Sequence, residues 1–212
     1  MIRVHGDVRS GNCLKVRWLL DWLNTPYEWI PVDVLAGETR TPRFLGLNPA
    51  GQIPFVELED GRGLAQSNAI LLHFSEGGPL LPDDPWLKAK VWEWLFWEQY
   101  SHEPAIAVRR FQKLYLGRQD PEIDPQLLDR GRLALSRMEI QLSASEWLVG
   151  RGPTAADLAL LPYTALAPEG GFSLDHWPAV RRWIDRSLTA FDVDPSALGT
   201  PTLPLSSRGK PS

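Results

Sequence analysis

Two periods of apolar residues alternate along the first third of the chain. Short apolar runs at residues 2–5 and 27–34 have the length and the β-branched or aromatic content of strands. Between them, one set of residues recurs at the i, i+3, i+4, i+7 spacing of a helical face: Val16, Leu19, Leu20 and Leu23. This helix is expected to start between Ser10 and Cys13 and to end before Pro26. The strand, helix, strand order predicts a right-handed crossover between parallel strands.

A hairpin and a further helix are predicted from residue 53 onward. Strand-like runs at 53–58 and 64–66 flank a Gly-containing loop at 59–63, which is typical of a hairpin. Ser67 follows the hairpin, and its hydroxyl can cap a helix over residues 68–75. Residues 38–47 are expected to form an irregular or helical link between the second strand and the hairpin.

Beyond the turn-rich segment at residues 79–85, every periodic segment is helical. Two sets of apolar or small residues recur at spacings of three and four. The first is Leu87, Val91, Trp94 and Leu95, with Glu98, and the second is Leu128, Gly131, Leu135, Met138 and Leu142. A third helix begins where Thr154 and Asp157 stand at capping-box spacing. A fourth helix runs over 178–188, with Pro178 in its first turn.

The pattern therefore predicts two domains of different class. Residues 1–78 form an α/β N-terminal domain, residues 79–85 a linker, and residues 86–194 an all-α, helical C-terminal domain. Residues 195–212 hold four prolines and little apolar patterning, so we expect this tail to be loosely ordered.

Composition and charge narrow the classes of partner. Of the 212 residues, 43% are hydrophobic and 23% are charged, as in an ordinary globular protein. The formal net charge of -4 provides no basic field, so neither nucleic acid nor an anionic membrane is expected as a partner. No stretch approaches membrane-spanning length, and no signal-peptide apolar segment precedes the first strand, which favours a cytoplasmic location.

Cysteine and histidine usage argues against a disulfide or metal framework. Cys13 is the single cysteine, which excludes an internal disulfide and a cysteine-rich metal site and fits a reducing compartment. The four histidines are dispersed, without the paired spacing of metal ligands, so we expect no metal: His5, His73, His102 and His176.

Pro54 occupies a position that needs an explanation, because it stands directly before the apolar run that forms the third strand. A proline is tolerated there because it opens the strand. If the Ile53–Pro54 bond is cis, the backbone N–H and C=O of Ile53 are left unpaired and can accept an extended peptide as an extra strand. With the β-α-β, β-β-α order, this is the thioredoxin arrangement.

The chain resembles the cytosolic glutathione transferases, of a serine-type and bacterial-like kind, over residues 2 to about 190. Four segments and the linker carry the resemblance: "SGNCLKVR" at 10–17, "LNPAGQIPFVE" at 47–57, "AQSNAILLHF" at 65–74 and "GPTAADLAL" at 152–160. The resemblance implies a thioredoxin-like glutathione-binding domain, a helical domain that supplies the pocket for a hydrophobic electrophile, and a homodimer.

The resemblance also assigns glutathione-binding residues. Ile53, before the expected cis Pro54, pairs its backbone with the cysteinyl unit. Gln66 and Ser67 hold the γ-glutamyl carboxylate, and a helix N-terminus at Ser67 suits an anion because its amide donors are unpaired. The glycyl carboxylate needs a donor from the link, for which Arg40 and Gln52 are both candidates.

Catalysis requires a thiolate from a thiol whose pKa lies near ~8.5 by analogy with cysteine. Ser10 stands where serine-type members carry their hydroxyl, at the start of the first helix, where the dipole adds positive potential. Asn12 is an alternative donor, and Cys13 is a third candidate through a mixed disulfide with glutathione. Tyrosine-type activation is excluded, because no tyrosine precedes residue 27.

Trp97, Tyr100 and Ser101 share a face of the first C-terminal helix and are candidates to line the electrophile pocket. The expected function is transfer of glutathione to an electrophilic small molecule, with glutathione as co-substrate. A glutathione-dependent disulfide reductase or peroxidase, a non-catalytic binding protein, and a dicarboxylate isomerase stay open as alternatives.

Overall fold

A mixed four-stranded sheet forms the centre of the N-terminal domain. The computed structural model describes residues 1–198. The strands are β1 (Ile2–Gly6), β2 (Tyr27–Pro31), β3 (Phe55–Glu57) and β4 (Gly63–Ala65), in the spatial order β2-β1-β3-β4. β1 pairs with β2 in parallel and with β3 antiparallel, and β4 pairs antiparallel with β3. The predicted parallel crossover and hairpin are confirmed, with β3 and β4 shorter than the apolar runs that predicted them.

Three helices complete this domain: α1 (Gly11–Trp22), α2 (Pro42–Leu47) and α3 (Ser67–Ser75). Ser10 is the N-cap of α1 and its hydroxyl accepts a hydrogen bond from the Cys13 N–H, as the sequence predicts for a helix starting here. The predicted cap of α3 is wrong by one residue. Gln66 is the N-cap and Ser67 is the first helical residue.

The C-terminal domain is helical, as predicted. Its helices are α4 (Pro85–Trp97), α5 (Glu103–Leu114), α6 (Pro125–Ala144), α7 (Ala155–Ala165) and α8 (Pro178–Ala190). A π-helical turn at Glu98–His102 joins α4 to α5, and the sequence pattern did not single out α5. At the start of α7, Thr154 and Asp157 form the predicted capping box.

One core joins the two domains. The buried face of α1 packs against α3 on one side and α7 on the other, so the first helix lies between the sheet domain and the helical domain. Further links are the Ala155 N–H to Leu80 carbonyl bond (2.8 Å) and the Trp22 indole to Ala190 carbonyl bond (3.0 Å). The relative position of the domains is therefore fixed by packing against α1.

The start of the Pro-rich tail forms a 3₁₀ turn at Pro195–Leu198, and Leu198 packs against the core. The remainder of the predicted loose tail, 199–212, lies outside the described residues. Within residues 1–198, every helix is too short or too polar to cross a membrane.

Candidate active site

A cleft of about 470 Å³ lies where the loops of the sheet domain face α5 of the helical domain. Eight of the residues singled out in the sequence line it: Ser10, Asn12, Arg40, Gln52, Ile53, Pro54, Gln66 and Ser67. They come from four separate segments of the first 67 residues, and the fold brings all of them to one surface.

The Ile53–Pro54 peptide bond is cis. The β3 ladder begins at Phe55, which pairs with Ala65, so Ile53 stands just outside it. Within residues 1–198, no group hydrogen-bonds to the Ile53 backbone, whereas the preceding carbonyl of Gln52 accepts from the Asn48 amide (2.7 Å). The cleft therefore presents one extended residue whose backbone donor and acceptor are available to a peptide ligand.

Ser67 begins α3 at the cleft, where the first backbone N–H groups of a helix have no intrahelical partner. Its side chain is buried, and its hydroxyl donates to the Asn12 side-chain carbonyl across 3.0 Å. The preceding Gln66 has φ 70° and ψ 112°, a conformation that residues with a Cβ rarely adopt. Such strained residues are concentrated at binding sites, where the surrounding structure holds them in place.

Arg40 and Gln52 also line the cleft. The Arg40 guanidinium lies against Gly51, so close that an added Cβ there would be 2.7 Å from a guanidinium nitrogen. Arg40 is exposed, and none of the described carboxylates is within ion-pairing distance of it. Gln52 accepts a 3.4 Å hydrogen bond from the Gln66 amide. The cleft therefore carries an unneutralised positive charge at Arg40.

The start of α1 presents two polar side chains to the cleft. Ser10 Oγ accepts from the Cys13 N–H at 3.4 Å. Asn12 accepts a hydrogen bond from Ser67 with its carbonyl oxygen, and it lines the cleft together with Glu103 at the start of α5. Burial is the largest influence on Glu103 and raises its pKa, while Asn12 acts in the opposite sense. Asn12 is thus held by α3 and lies near the helical domain.

Cys13 does not reach the cleft. Its side chain is fully buried, and burial raises the pKa of the thiol to about 12. A thiol without solvent access and without thiolate character is a poor partner for a mixed disulfide, so the structure gives no support to Cys13 as the activating residue. The first turn of α1 places this side chain in the core.

The candidates from the first C-terminal helix lie elsewhere. Trp97, Tyr100 and Ser101 do share a face, but it opens into a separate cavity of about 600 Å³ between α4 and α6. These three residues therefore do not line the cleft, and their role in an electrophile pocket stays a prediction. The π-helical turn at Glu98–His102 carries an i→i+5 register, which directs Glu98 and His102 inward and leaves Tyr100 exposed.

The helical wall of the cleft was not predicted from sequence. It consists of Gln99, Glu103, Phe111 and Tyr115. Tyr115 donates to the carboxylate of Asp7 (3.1 Å), which is also in the cleft wall, and its ring lies under the Arg9 guanidinium at 4.4 Å. Arg109 and Arg110 of α5 are both buried, which the sequence did not reveal.

No group of three or more histidine, cysteine or acidic side chains with metal-binding geometry occurs within residues 1–198. The donors of the cleft are hydroxyls, amides, backbone groups and a guanidinium. This set suits an anionic peptide better than a metal ion.

Comparison with known proteins gives two matches in the expected order. The family model for the glutathione S-transferase N-terminal domain matches residues 9–76, and that for the C-terminal domain matches residues 100–189. Glutathione S-transferase 3 of Zea mays is 31% identical, with 97% of this chain and 98% of the relative covered. The chain belongs to the glutathione S-transferase family.

Other relatives in the family carry different names. "Maleylacetoacetate isomerase" of Pseudomonas aeruginosa is 28% identical over 87% of this chain and 90% of its own length. "Disulfide-bond oxidoreductase YfcG" of Escherichia coli is 27% identical over 84% of this chain and 86% of its own length. Membership therefore fixes the fold and the family, while the reactions named among its members vary.

Solved structures agree with the fold. A glutathione S-transferase from Pseudomonas fluorescens superimposes with a TM-score of 0.86 at 48% identity, covering 89% of this chain and 94% of that chain. The structure of Ure2p in complex with glutathione superimposes with a TM-score of 0.81 at 25% identity, covering 93% of this chain and 92% of that chain. The thioredoxin-like N-terminal domain with a helical C-terminal domain is thereby confirmed.

Proposed function

We propose that this glutathione S-transferase family member transfers glutathione to electrophilic small molecules. The bound thiol loses its proton to solvent, and the thiolate forms a C–S bond at the electrophilic carbon. A leaving group such as halide departs with its electron pair, or an activated double bond takes up a proton. The observation that carries the proposal is the cleft itself, in which Ile53, Ser67 and Ser10 offer unpaired backbone, a helix N-terminus and a hydroxyl along one surface.

The binding mode follows from the charges of an extended tripeptide. The cysteinyl unit pairs with the free backbone of Ile53. The γ-glutamyl carboxylate lies at the N-terminus of α3, beside Gln66 and Ser67, where unpaired N–H groups and the helix dipole favour an anion. The glycyl carboxylate faces Arg40, whose charge has no protein partner within residues 1–198, with Gln52 beside it.

Ser10 is the proposed thiol activator. A charge-assisted hydrogen bond contributes about 1.5–3 kcal/mol, and one pKa unit corresponds to about 1.4 kcal/mol. A hydroxyl donor at the α1 N-terminus is therefore sufficient to lower a thiol pKa by about one to two units. Asn12 is the alternative donor, because its bond to Ser67 uses its carbonyl oxygen and leaves the side-chain N–H groups able to donate.

The helical wall favours neutral or cationic electrophiles with aromatic character. Phe111 and Tyr115 provide aromatic surface, and the carboxyl of Glu103 lies on the same side of the cleft. A dianionic substrate would meet no free cation on this wall, because the Arg9 charge is already neutralised by Asp7. This arrangement supports transfer over isomerisation of dicarboxylates.

A glutathione-dependent disulfide reductase is the second candidate, supported by the name of the Escherichia coli relative. In this chain a glutathione thiolate would attack a substrate disulfide, break its S–S bond and release one substrate thiolate. A second glutathione thiolate would then attack the mixed disulfide, so that glutathione disulfide forms and the second substrate thiolate leaves, without Cys13. A route through a protein cysteine would need Cys13, whose thiol is buried and inaccessible.

We infer that the protein is a homodimer. We also infer a cytoplasmic location, where the glutathione pool keeps thiols reduced. The dimer is supported by an apolar groove between α3 and α4, whose lining includes Ala69, Leu72, Trp92 and Phe96. Trp92 and Phe96 are 43% and 74% exposed, which is unusual for side chains of this size on a monomer surface.

Retention on immobilised glutathione and turnover of an activated aryl halide test the proposal together. The wild-type chain should be retained, elute with free glutathione, and release halide in proportion to conjugate. Ser10→Ala should be retained on the immobilised glutathione but release halide more slowly than wild type. Cys13→Ala should behave as wild type in both assays. A chain that flows through unretained would refute the proposal, whereas retention with disulfide reduction but no halide release would select the second candidate.

A further inference from the structure

The peptide bond between Arg9 and Ser10 is held at both of its polar atoms. Its N–H, which belongs to Ser10, donates to the Asp7 carbonyl at 3.0 Å. Its carbonyl oxygen, which belongs to Arg9, accepts from the guanidinium of Arg110 at 2.7 Å. Because a peptide group is planar and rigid, hydrogen bonds at both of these atoms fix the orientation of the whole plane. Ser10 is therefore anchored on the side that precedes α1.

The helix α1 anchors Ser10 on its other side. The Ser10 carbonyl accepts from the Leu14 N–H at 2.9 Å, and its hydroxyl accepts from the Cys13 N–H at 3.4 Å. Ser10 has φ −79° and ψ 119°, the extended conformation of an N-cap. With the peptide groups on both sides bonded, the backbone sets the Cα–Cβ direction of Ser10, and with it the place of the hydroxyl at the cleft.

Arg110 belongs to α5 and brings the helical domain to this peptide bond. Its side chain is buried, and its Nε donates to the Glu169 carboxylate at 2.6 Å while its Nη1 donates to the Arg9 carbonyl. The planar guanidinium makes the two bonds at a fixed angle, so the pairing with Glu169 aims the second bond at the loop before α1. Arg110 itself does not line the cleft.

The neighbouring Arg109 is equally buried but has a different set of partners. It donates to the Gly170 carbonyl at 2.7 Å and to the Asp120 carboxylate at 2.6 Å, and both partners belong to the helical domain. Among the described residues, only Arg110 of this pair is bonded to the sheet domain. Since its charge is already paired with Glu169, the bond to the Arg9 carbonyl contributes position rather than neutralisation.

We propose that Arg110 is a positioning residue that holds the Arg9–Ser10 peptide bond so that the Ser10 hydroxyl lies against the glutathione sulfur. Arg110 acts through Ser10 and does not itself touch glutathione. The inference rests on the proposed function of Ser10 as thiol activator. It adds that the helical domain, and not only the sheet domain, determines how strongly the thiol is activated.

Arg110→Lys and Arg110→Met test the inference together. Lysine keeps the positive charge but not the planar fork, whereas methionine removes both. Thiolate absorbance against pH gives the thiol pKa of bound glutathione, and calorimetric titration gives the glutathione dissociation constant. We expect the thiol pKa to rise by about 0.5 to 1 in both variants, as for the weakening of one hydrogen bond. The dissociation constant should change little, because Ile53 and Ser67 are untouched.

Arg109→Lys and Arg109→Met are the matched controls, because they make the same changes in an equally buried side chain one residue away. They should leave the thiol pKa unchanged, even where urea unfolding shows a lower stability. An equal rise of the thiol pKa in the Arg109 variants would show a general disturbance of α5 and overturn the inference. A rise in Arg110→Met that is absent from Arg110→Lys would assign the effect to charge, and would overturn it as well.

A double variant separates this inference from the proposed function. If Arg110 acts through Ser10, Ser10→Ala/Arg110→Lys should titrate as Ser10→Ala alone. Shifts that add in the double variant would overturn the inference and leave Ser10 as activator, and so would a wild-type thiol pKa in both Arg110 variants. A wild-type thiol pKa in Ser10→Ala would overturn the activator assignment, and the inference with it.

Discussion

The Ser67 hydroxyl donates to the Asn12 side-chain carbonyl across 3.0 Å, and this bond joins the first turn of α3 to the first turn of α1. Both turns are helix N-termini that line the cleft, where the first backbone N–H groups have no intrahelical partner. The bond places the proposed γ-glutamyl site and the proposed sulfur site at a fixed separation. Glu103 of the helical domain also lines the cleft, and Asn12 acts to lower the pKa of its carboxyl.

Ser67→Ala should weaken glutathione binding more than it slows turnover. In the proposed binding mode the Ser67 hydroxyl exchanges its Asn12 acceptor for the ligand carboxylate, which also lies at the helix N-terminus. One charge-assisted hydrogen bond corresponds to roughly a 10- to 100-fold change in affinity. Calorimetric titration with glutathione measures it. Ser75→Ala, at the other end of α3 with a buried hydroxyl that has no partner within residues 1–198, is the control. Equal affinities of Ser67→Ala and wild type would contradict the proposed binding mode.

Cys13 should resist alkylation in the folded protein. The thiol is buried and its pKa is raised to about 12, so the thiolate is scarce at neutral pH. The rate of modification by a soluble thiol reagent should be at least about 100-fold lower in native than in urea-unfolded protein, as expected for a group that reacts only after opening. Rapid labelling of the native chain, with loss of activity, would make Cys13 a candidate for the thiol chemistry again.

Lys15 and Glu98 form an ion pair with both side chains fully buried, at 2.9 Å, beneath the cleft. Asn68 also bonds to both members of the pair, so the group ties α1, α3 and the π-helical turn together. Lys15→Met should destabilise the protein by about 3–5 kcal/mol, because Glu98 is left charged and unpaired. Replacing both residues with methionine should recover most of this loss. Urea unfolding measures the free energies of unfolding. A Lys15→Met variant as stable as wild type would contradict the prediction.

Glu103→Gln should raise stability at neutral pH. The pKa of Glu103 is raised by burial, so the folded state favours the protonated carboxyl. At pH values above this pKa the folded wild type bears the cost of a buried charge, and as pH falls through it the folded state takes up a proton and gains stability. The advantage of the variant, measured by urea unfolding at a series of pH values, should therefore shrink toward about pH 4.3, the ordinary glutamate value. If the stability advantage of Glu103→Gln over wild type grew as the pH fell, the prediction would be contradicted.

Phe96→Glu should convert a dimer into a monomer. It places a charge at the centre of the apolar groove between α3 and α4, where a second copy would have to desolvate it. Sedimentation velocity distinguishes the two states. Leu116→Glu, at an exposed leucine outside the groove, is the matched control. A wild-type chain that sediments as a monomer at every concentration would rule out the proposed dimer.

The cleft of the N-terminal domain could be predicted well from the sequence, because local chemistry fixes it. Ser10 caps α1 and Pro54 opens β3, and each leaves a recognisable residue at a defined place in an alternating pattern. Gln66 shows the limit of such reasoning. A side chain at φ 70° is held by the surrounding structure, and no local propensity assigns it as the N-cap in place of Ser67.

The helical wall could not be predicted in the same way. A helical repeat identifies a face, but only the packing of α4 and α5 on the sheet domain decides which face meets the cleft. The π-helical turn at Glu98–His102 shifts the register within that helix, so Trp97 and Tyr100 face α6 while Gln99 and Glu103 face the cleft. The contact between Tyr163 and Gly11 joins distant segments and has no local sequence signal.

Titration of the thiol of bound glutathione tests most directly whether the Ser10 hydroxyl activates the sulfur. Thiolate absorbance of the complex is followed against pH for wild type and Ser10→Ala, at saturating glutathione. We predict a midpoint about one to two units below that of free glutathione in wild type, and a return toward the free value in Ser10→Ala. A wild-type complex whose thiol titrates like free glutathione would contradict this activation.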